Sequence, residues 1–190
     1  MKEGKMVIFS APSGAGKTTI VSYLLSRGLN FRFPVSATTR RPRGTEQNDK
    51  VYDFLNEQEF RNKIEHEEFL EWEEVCPGYF YGTLKSEVER ICKNGQNVLF
   101  DVDIEGGRHI KKYYGDKALA IFIQPPSVQN LKSSSIVQSA DCIEVMNTRI
   151  EKAEHEIPDI EFFDVIINND QLEDALKVAE EKVSQFLAKS

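Results

Sequence analysis

Cysteine is scarce. The chain has only Cys76, Cys92 and Cys142 in 190 residues, at no paired metal spacing, and an odd number leaves one unpaired in any intramolecular disulfide scheme. A reducing cytoplasm is therefore the expected setting. An excess of positive charge is also missing: 24 Lys and Arg stand against 31 Asp and Glu, a net charge of −7. That balance argues against a nucleic acid polymer or an anionic membrane as partner, and any anion site has to be local. Long hydrophobic runs are absent too. The opening apolar block Met6-Val7-Ile8-Phe9 is broken at once by Ser10, Pro12 and Ser13, which leaves it too short for a signal or membrane segment. There is no internal repeat, long linker or low-complexity tract. At 40% hydrophobic and 29% charged residues, neither a disordered nor a fibrous class is indicated, and the length suits one folding unit.

Strand-like and helix-like patterns alternate from end to end, the mark of an α/β fold with a parallel sheet covered by helices on both faces. Met6-Val7-Ile8-Phe9 reads as a central strand buried on both faces. Further strands are expected at Val98-Leu99-Phe100, Ala118 to Ile123 and Val165-Ile166-Ile167. Helices are expected over Thr18 to Ser26, with Ile20, Val21, Leu24 and Leu25 at helical spacing, and over Leu172 to Leu187. The core so read covers 1–32, 82–130 and 142–190. The stretch 33–81 differs, with short polar strand candidates and many Arg, Tyr and Glu, and reads as an insertion. The Ser- and Gln-rich stretch 131–141 lacks periodicity and reads as a lid.

Chemistry enters directly after the first strand, where Ala11-Pro12-Ser13-Gly14-Ala15-Gly16-Lys17-Thr18 fills the P-loop pattern except that Ala11 replaces its first glycine. Glycines at 14 and 16 let successive N–H groups converge, and the following helix adds its positive end, so triphosphate oxygens are the natural occupant. ATP is the expected ligand, with Thr19 completing the loop. Lys17 would reach the outer phosphates, and the Thr18 hydroxyl would ligate Mg²⁺. The run Val98 to Asp103 ends in two carboxylates at a strand's carboxyl end, where ligands of parallel sheets bind. Asp101 is the second metal candidate; a solvated residue or a helix cap is its other reading.

The P-loop names no acceptor. The ordered set Ser36-Ala37-Thr38-Thr39-Arg40-Arg41-Pro42-Arg43-Gly44, Tyr52, Glu71-Trp72, Tyr79-Phe80-Tyr81-Gly82-Thr83 and Asp103-Ile104-Glu105-Gly106 closely resembles guanylate kinases, and with the P-loop the match spans nearly the whole chain. The resemblance implies a P-loop core with a GMP-binding insertion and a lid, using ATP and GMP as substrates. It assigns the GMP phosphate to Arg40, Arg43, Tyr52 and Tyr81, and the base to Ser36, Glu71, Thr83 and Asp103. The chemistry agrees: guanine offers donors at N1 and N2 where adenine offers an acceptor at N1, so carboxylates accept from guanine and repel adenine. Ile167-Asn168-Asn169-Asp170 resembles the family's segment beside the adenine of ATP, with Asn168 as the candidate, although an Asn/Asp turn before the last helix explains it nearly as well.

The acceptor phosphate oxygen is already anionic, so no general base is needed, and catalysis rests on alignment and charge neutralisation by residues such as Lys17 and Arg40. At the lid the chain departs from the family. Guanylate kinases place two arginines there and a third on the next helix, and gap-free alignment puts Ser134, Gln138 and Arg149 at those positions. Only Arg149 survives, with Lys132 as a partial substitute, which puts turnover rather than binding in question. The rival from another class is a non-catalytic guanylate-kinase-like interaction module; oligomeric state is left open.

Overall fold

The computed structural model describes residues 4–12, 14–42, 44, 52–125 and 160–189. A strand inside a doubly covered parallel sheet must bury both of its faces, which is why its sequence is continuously apolar rather than alternating. Strand β1 (Met6–Ser10) is buried along its whole length. It is the middle of a five-stranded sheet ordered β2-β7-β1-β8-β9, with β2 at Phe31–Arg32, β7 at Asn97–Asp101, β8 at Ala118–Gln124 and β9 at Val165–Asn168. Every pairing in it is parallel.

Strand alternation then sorts the side chains into two cores. Met6, Ile8, Phe100 and Phe122 face α3 (Lys85–Lys93) and α4 (Ile104–Tyr114), meeting Val88, Ile91, Ile104 and Ile110. Val7, Phe9, Leu99 and Ile121 face the other way, onto Ile20 and Leu24 of α1 (Lys17–Ser26) and Ala175, Ala179 and Val183 of α5 (Leu172–Ala188). The expected α/β architecture, its central strand and its flanking helices are all present. Ile8 and Phe9 are fully buried, so truncating either to Ala would cost about 2–5 kcal/mol.

A second sheet of four strands, ordered β4-β3-β6-β5, contains β3 (Ser36–Thr38), β4 (Tyr52–Phe54), β5 (Phe69–Cys76) and β6 (Tyr79–Leu84). It continues to Leu84, beyond the boundary at 81 expected for the insertion, because β6 stays paired with β5 up to Phe69↔Leu84. Helix α2 (Glu57–Glu65) covers one face. It starts at a reciprocal capping box, in which Asn56 accepts from the Glu59 N–H and Glu59 from the Asn56 N–H. Phe60 of α2 stacks 4.3 Å from Phe69 and 5.3 Å from Phe80, with Ala37 beside them. The opposite face carries polar and aromatic side chains. The expected lid, 131–141, lies outside the described residues.

Candidate nucleotide-binding site

The loop between β1 and α1 turns on Gly14 (φ 80°) and Gly16 (φ 86°), both in the left-handed region open mainly to glycine. Ala11 needs no such freedom, since the described non-glycine residues with positive φ are Asn30 and Glu67. The departure from the motif's first glycine therefore leaves the loop's path intact. Ala15 N–H donates to the Pro12 carbonyl at 3.2 Å. Helix α1 starts at Lys17 with no side-chain cap and no acidic residue in its first turn, which leaves its positive end toward the loop. Thr18 and Thr19 are exposed in that turn; Ser13 lies outside the described residues.

Parallel pairing of β1 with β7 sets Phe9 beside Asp101. Lys17 Nζ consequently sits 2.5 Å from Asp101 Oδ1 and donates to the Val102 carbonyl at 3.1 Å. Two residues on, Asp103 is the N-cap of α4, its Oδ1 accepting from Gly106 N–H at 2.7 Å. Capping thus falls to Asp103, while Asp101 is ion-paired with Lys17. Ser10 Oγ, fully buried at the end of β1, donates to the Asp103 carbonyl at 3.0 Å. The cradle and the β7–α4 loop are therefore joined by direct hydrogen bonds.

The polar face of the smaller sheet follows from its register. Ser36 pairs with Thr83 and Tyr52, Glu71 pairs with Thr83, and Thr38 pairs with Tyr81, so these side chains share one face. At one end, Thr83 Oγ1 donates to Glu71 Oε1 at 2.6 Å. A methyl group added at Gly106 would lie 3.1 Å from Asp103 Oδ1 and 3.4 Å from Glu71 Oε2, which places both carboxylates against the first turn of α4. Burial pushes the Glu71 carboxyl up to about 7 against the Thr83 hydrogen bond, and the nearby charges of Asp103 and Glu73 push the same way. At the other end, the buried Arg40 guanidinium lies 4.6 Å from the Tyr52 ring and 5.2 Å from the Phe54 ring. Tyr81 meets Tyr52 edge-on at 6.2 Å.

Ser36, Arg40, Tyr52, Glu71, Tyr81 and Thr83 are thus gathered on or beside one sheet face, with Asp103 across from Glu71 and Lys17 with Asp101 at the cradle. Arg43 and Arg149 lie outside the described residues. Asn168 is at the exposed end of β9, in register with Gln124. The residue turned to the cradle is its neighbour, because successive residues point to opposite sides: Asn169 Nδ2 donates to the Ala15 carbonyl at 2.8 Å. Phe54 adds a second ring beside Arg40. Its one signal is the alternation Tyr52-Asp53-Phe54, which puts two rings on the side of Arg40.

Taken together, a parallel sheet with a P-loop after its central strand and a small polar-faced sheet set against α4 define a P-loop α/β nucleotide-binding protein. A family model described as guanylate kinase matches residues 3–186. The chain belongs to the guanylate kinase family and is an enzyme of it, a nucleoside monophosphate kinase. It is 51% identical to a guanylate kinase of Bacteroides thetaiotaomicron over 186 residues, covering 98% of this chain and 91% of the relative. Against a Porphyromonas gingivalis guanylate kinase the identity is 50%, covering 97% and 99%. The crystal structure of guanylate kinase from Anaplasma phagocytophilum superposes with a TM-score of 0.72 at 25% identity, covering all of this chain and 89% of that one. Among the described residues no helix is long and apolar enough to cross a membrane.

Proposed function

We propose that this chain transfers the γ-phosphoryl group of ATP to GMP or dGMP, giving ADP with GDP or dGDP, in a reducing cytoplasm. The observation that carries the reading is the polar face of the smaller sheet. It offers an arginine braced by aromatic rings at one end and a hydroxyl-and-carboxylate set at the other, a pattern that suits a phosphate and a guanine respectively. The assigned contacts fall on the phosphate and the base, and dGMP carries both. Lys17 carries the charge at the donor phosphates. Asp103, two residues beyond the ion-paired Asp101, carries the acceptor's base contact, so the two nucleotides meet across the β7–α4 loop.

Mg²⁺ fits the donor set. Among the described residues no group of three or more His, Cys, Asp or Glu could hold a metal alone, and the Thr18 hydroxyl with the Asp101 carboxylate supplies the one or two hard oxygens that Mg²⁺ takes from protein when phosphates provide the rest. The ion would contribute charge neutralisation at the phosphates. Lys17 and Arg40 align the two phosphates in line, and no residue is needed to remove a proton from an acceptor that is already anionic. Ser134 and Gln138, at the expected lid arginine positions, make turnover slower than in a chain with arginine there.

A coupled assay of ADP release tests the reading with GMP, dGMP, AMP, CMP and UMP as acceptors. GMP and dGMP should turn over, with AMP at least about tenfold poorer, because each mispaired buried polar group costs about 1–3 kcal/mol. Equal rates with AMP, or no ADP release with any acceptor, would overturn it.

A further inference from the structure

We infer that Asn169 is a positioning residue that latches the phosphate-binding loop, acting through the Ala15 carbonyl and not through contact with a nucleotide base. The inference rests on the proposal above for what the loop binds. Asn169 is itself anchored, its N–H donating to the Gln124 carbonyl at the end of β8 at 2.9 Å. Its amide then donates from Nδ2 to the Ala15 carbonyl at 2.8 Å, across 154 positions of sequence. That bond joins the last strand of the main sheet to the centre of the loop.

The cradle is shaped around this amide. A Cβ at Gly16 would stand 2.4 Å from Asn169 Nδ2, far inside van der Waals contact, so the absence of a side chain there makes room for the latch as well as permitting the φ of 86°. The other half of the amide is costly. Asn169 Oδ1 is buried and meets no donor among the described residues, an arrangement that an apolar side chain would avoid. The donor half justifies it, because the Ala15 carbonyl cannot turn inward while Nδ2 holds it. With that carbonyl held, the Gly16 N–H of the same planar peptide keeps a fixed direction for a triphosphate, while the Ala15 N–H is turned to the Pro12 carbonyl.

The test is the full-length Asn169→Ala variant, with Asn169→Ser as a second change that keeps a donor near Ala15. Affinities for Mg·ATP, Mg·ITP and GMP are measured by calorimetry, and the parent chain is measured beside them. ITP carries the same triphosphate but lacks the 6-amino group of adenine. Asn169→Ala should weaken ATP and ITP by the same factor, about tenfold for one lost hydrogen bond in a shielded site. GMP affinity should stay within about twofold, and Asn169→Ser should lie between parent and Ala. A loss seen with ATP and not ITP would mean a base contact and overturn the latch. So would an unchanged donor affinity, or an equal loss for GMP, which marks a general structural role. A parent chain that fails to bind Mg·ATP would instead overturn the proposed function. If Asn169→Ala does not fold, the ATP-to-ITP comparison on the serine variant decides by the same criteria.

Discussion

A single carboxyl shows how much one residue can be asked to hold. Glu71 is kept out of water beside Asp103 and Glu73, so it retains its proton up to about 7 in the folded chain against 4.5 when unconstrained. Between those values the folded state binds the extra proton, so stability falls as pH rises through that window. Above it the ionised Glu71 is a standing cost on the free enzyme. Glu71→Gln should therefore raise stability above about pH 7, by on the order of 1–3 kcal/mol in denaturant unfolding. The same change should weaken GMP, since an amide offers guanine one acceptor oxygen where a carboxylate offers two. GMP affinity of the parent should also drop on acidification through about 7, because guanine's donors need the ionised form. The GMP phosphate gains a proton near pH 6 as well, so the Gln variant is the reference. Subtracting its profile should leave a dependence of about one proton. Parallel profiles would show that Glu71 is not the linked group.

Helix α4 carries the other half of that pair, and its Gly106-Gly107 step is costly by propensity alone. Replacing a mid-helix glycine with alanine ordinarily gains about 1 kcal/mol. Here a Cβ at Gly107 would stand 2.7 Å from the Oγ of fully buried Ser10 and 3.4 Å from Ile8 Cγ2. Packing should win: Gly107→Ala is expected to destabilise by about 1–3 kcal/mol, and adding Ser10→Ala should recover part of it. Stabilisation by Gly107→Ala in thermal unfolding would show that α4 shifts freely. Such close approaches mark the limit of what the sequence makes legible. Four strands of the main sheet could be read because each is an apolar run between turn formers, whereas β2 is the two residues Phe31–Arg32 with no such run; the P-loop could be read because its glycines, lysine and threonine are contiguous. The carboxylates at 71 and 103 could be named one by one, but their meeting over Gly106 depends on how α4 packs against β5. Likewise β3 and β4 are too short and polar to announce themselves. An Asn-Asn pair such as 168–169 also carries no record of which side chain a strand end will turn inward.

At the scale of the whole molecule the proposed nucleotide sites and the expected lid carry separate terms of the reaction. The described residues assemble the cradle and the polar face, whereas Ser134 and Gln138, which stand where the resemblance to guanylate kinases places lid arginines, lie outside the described residues. An arginine on a transferring phosphoryl group can be worth about 10³–10⁵ in rate, while the groups proposed for GMP sit on β3, β5, β6 and the residues beside them. Binding and chemistry should therefore separate. GMP affinity should be ordinary for the site while kcat is depressed, with Lys132 and Arg149 supplying part of the missing charge. The double change Ser134→Arg with Gln138→Arg should raise single-turnover rates at least about tenfold and move GMP dissociation by less than about twofold. Raised ionic strength gives an internal control, because added salt screens exposed charge pairs: the parent should be less salt-sensitive in kcat than the arginine variant. If the parent already turns over as fast as the double variant, the charge at those two positions is not what limits the reaction.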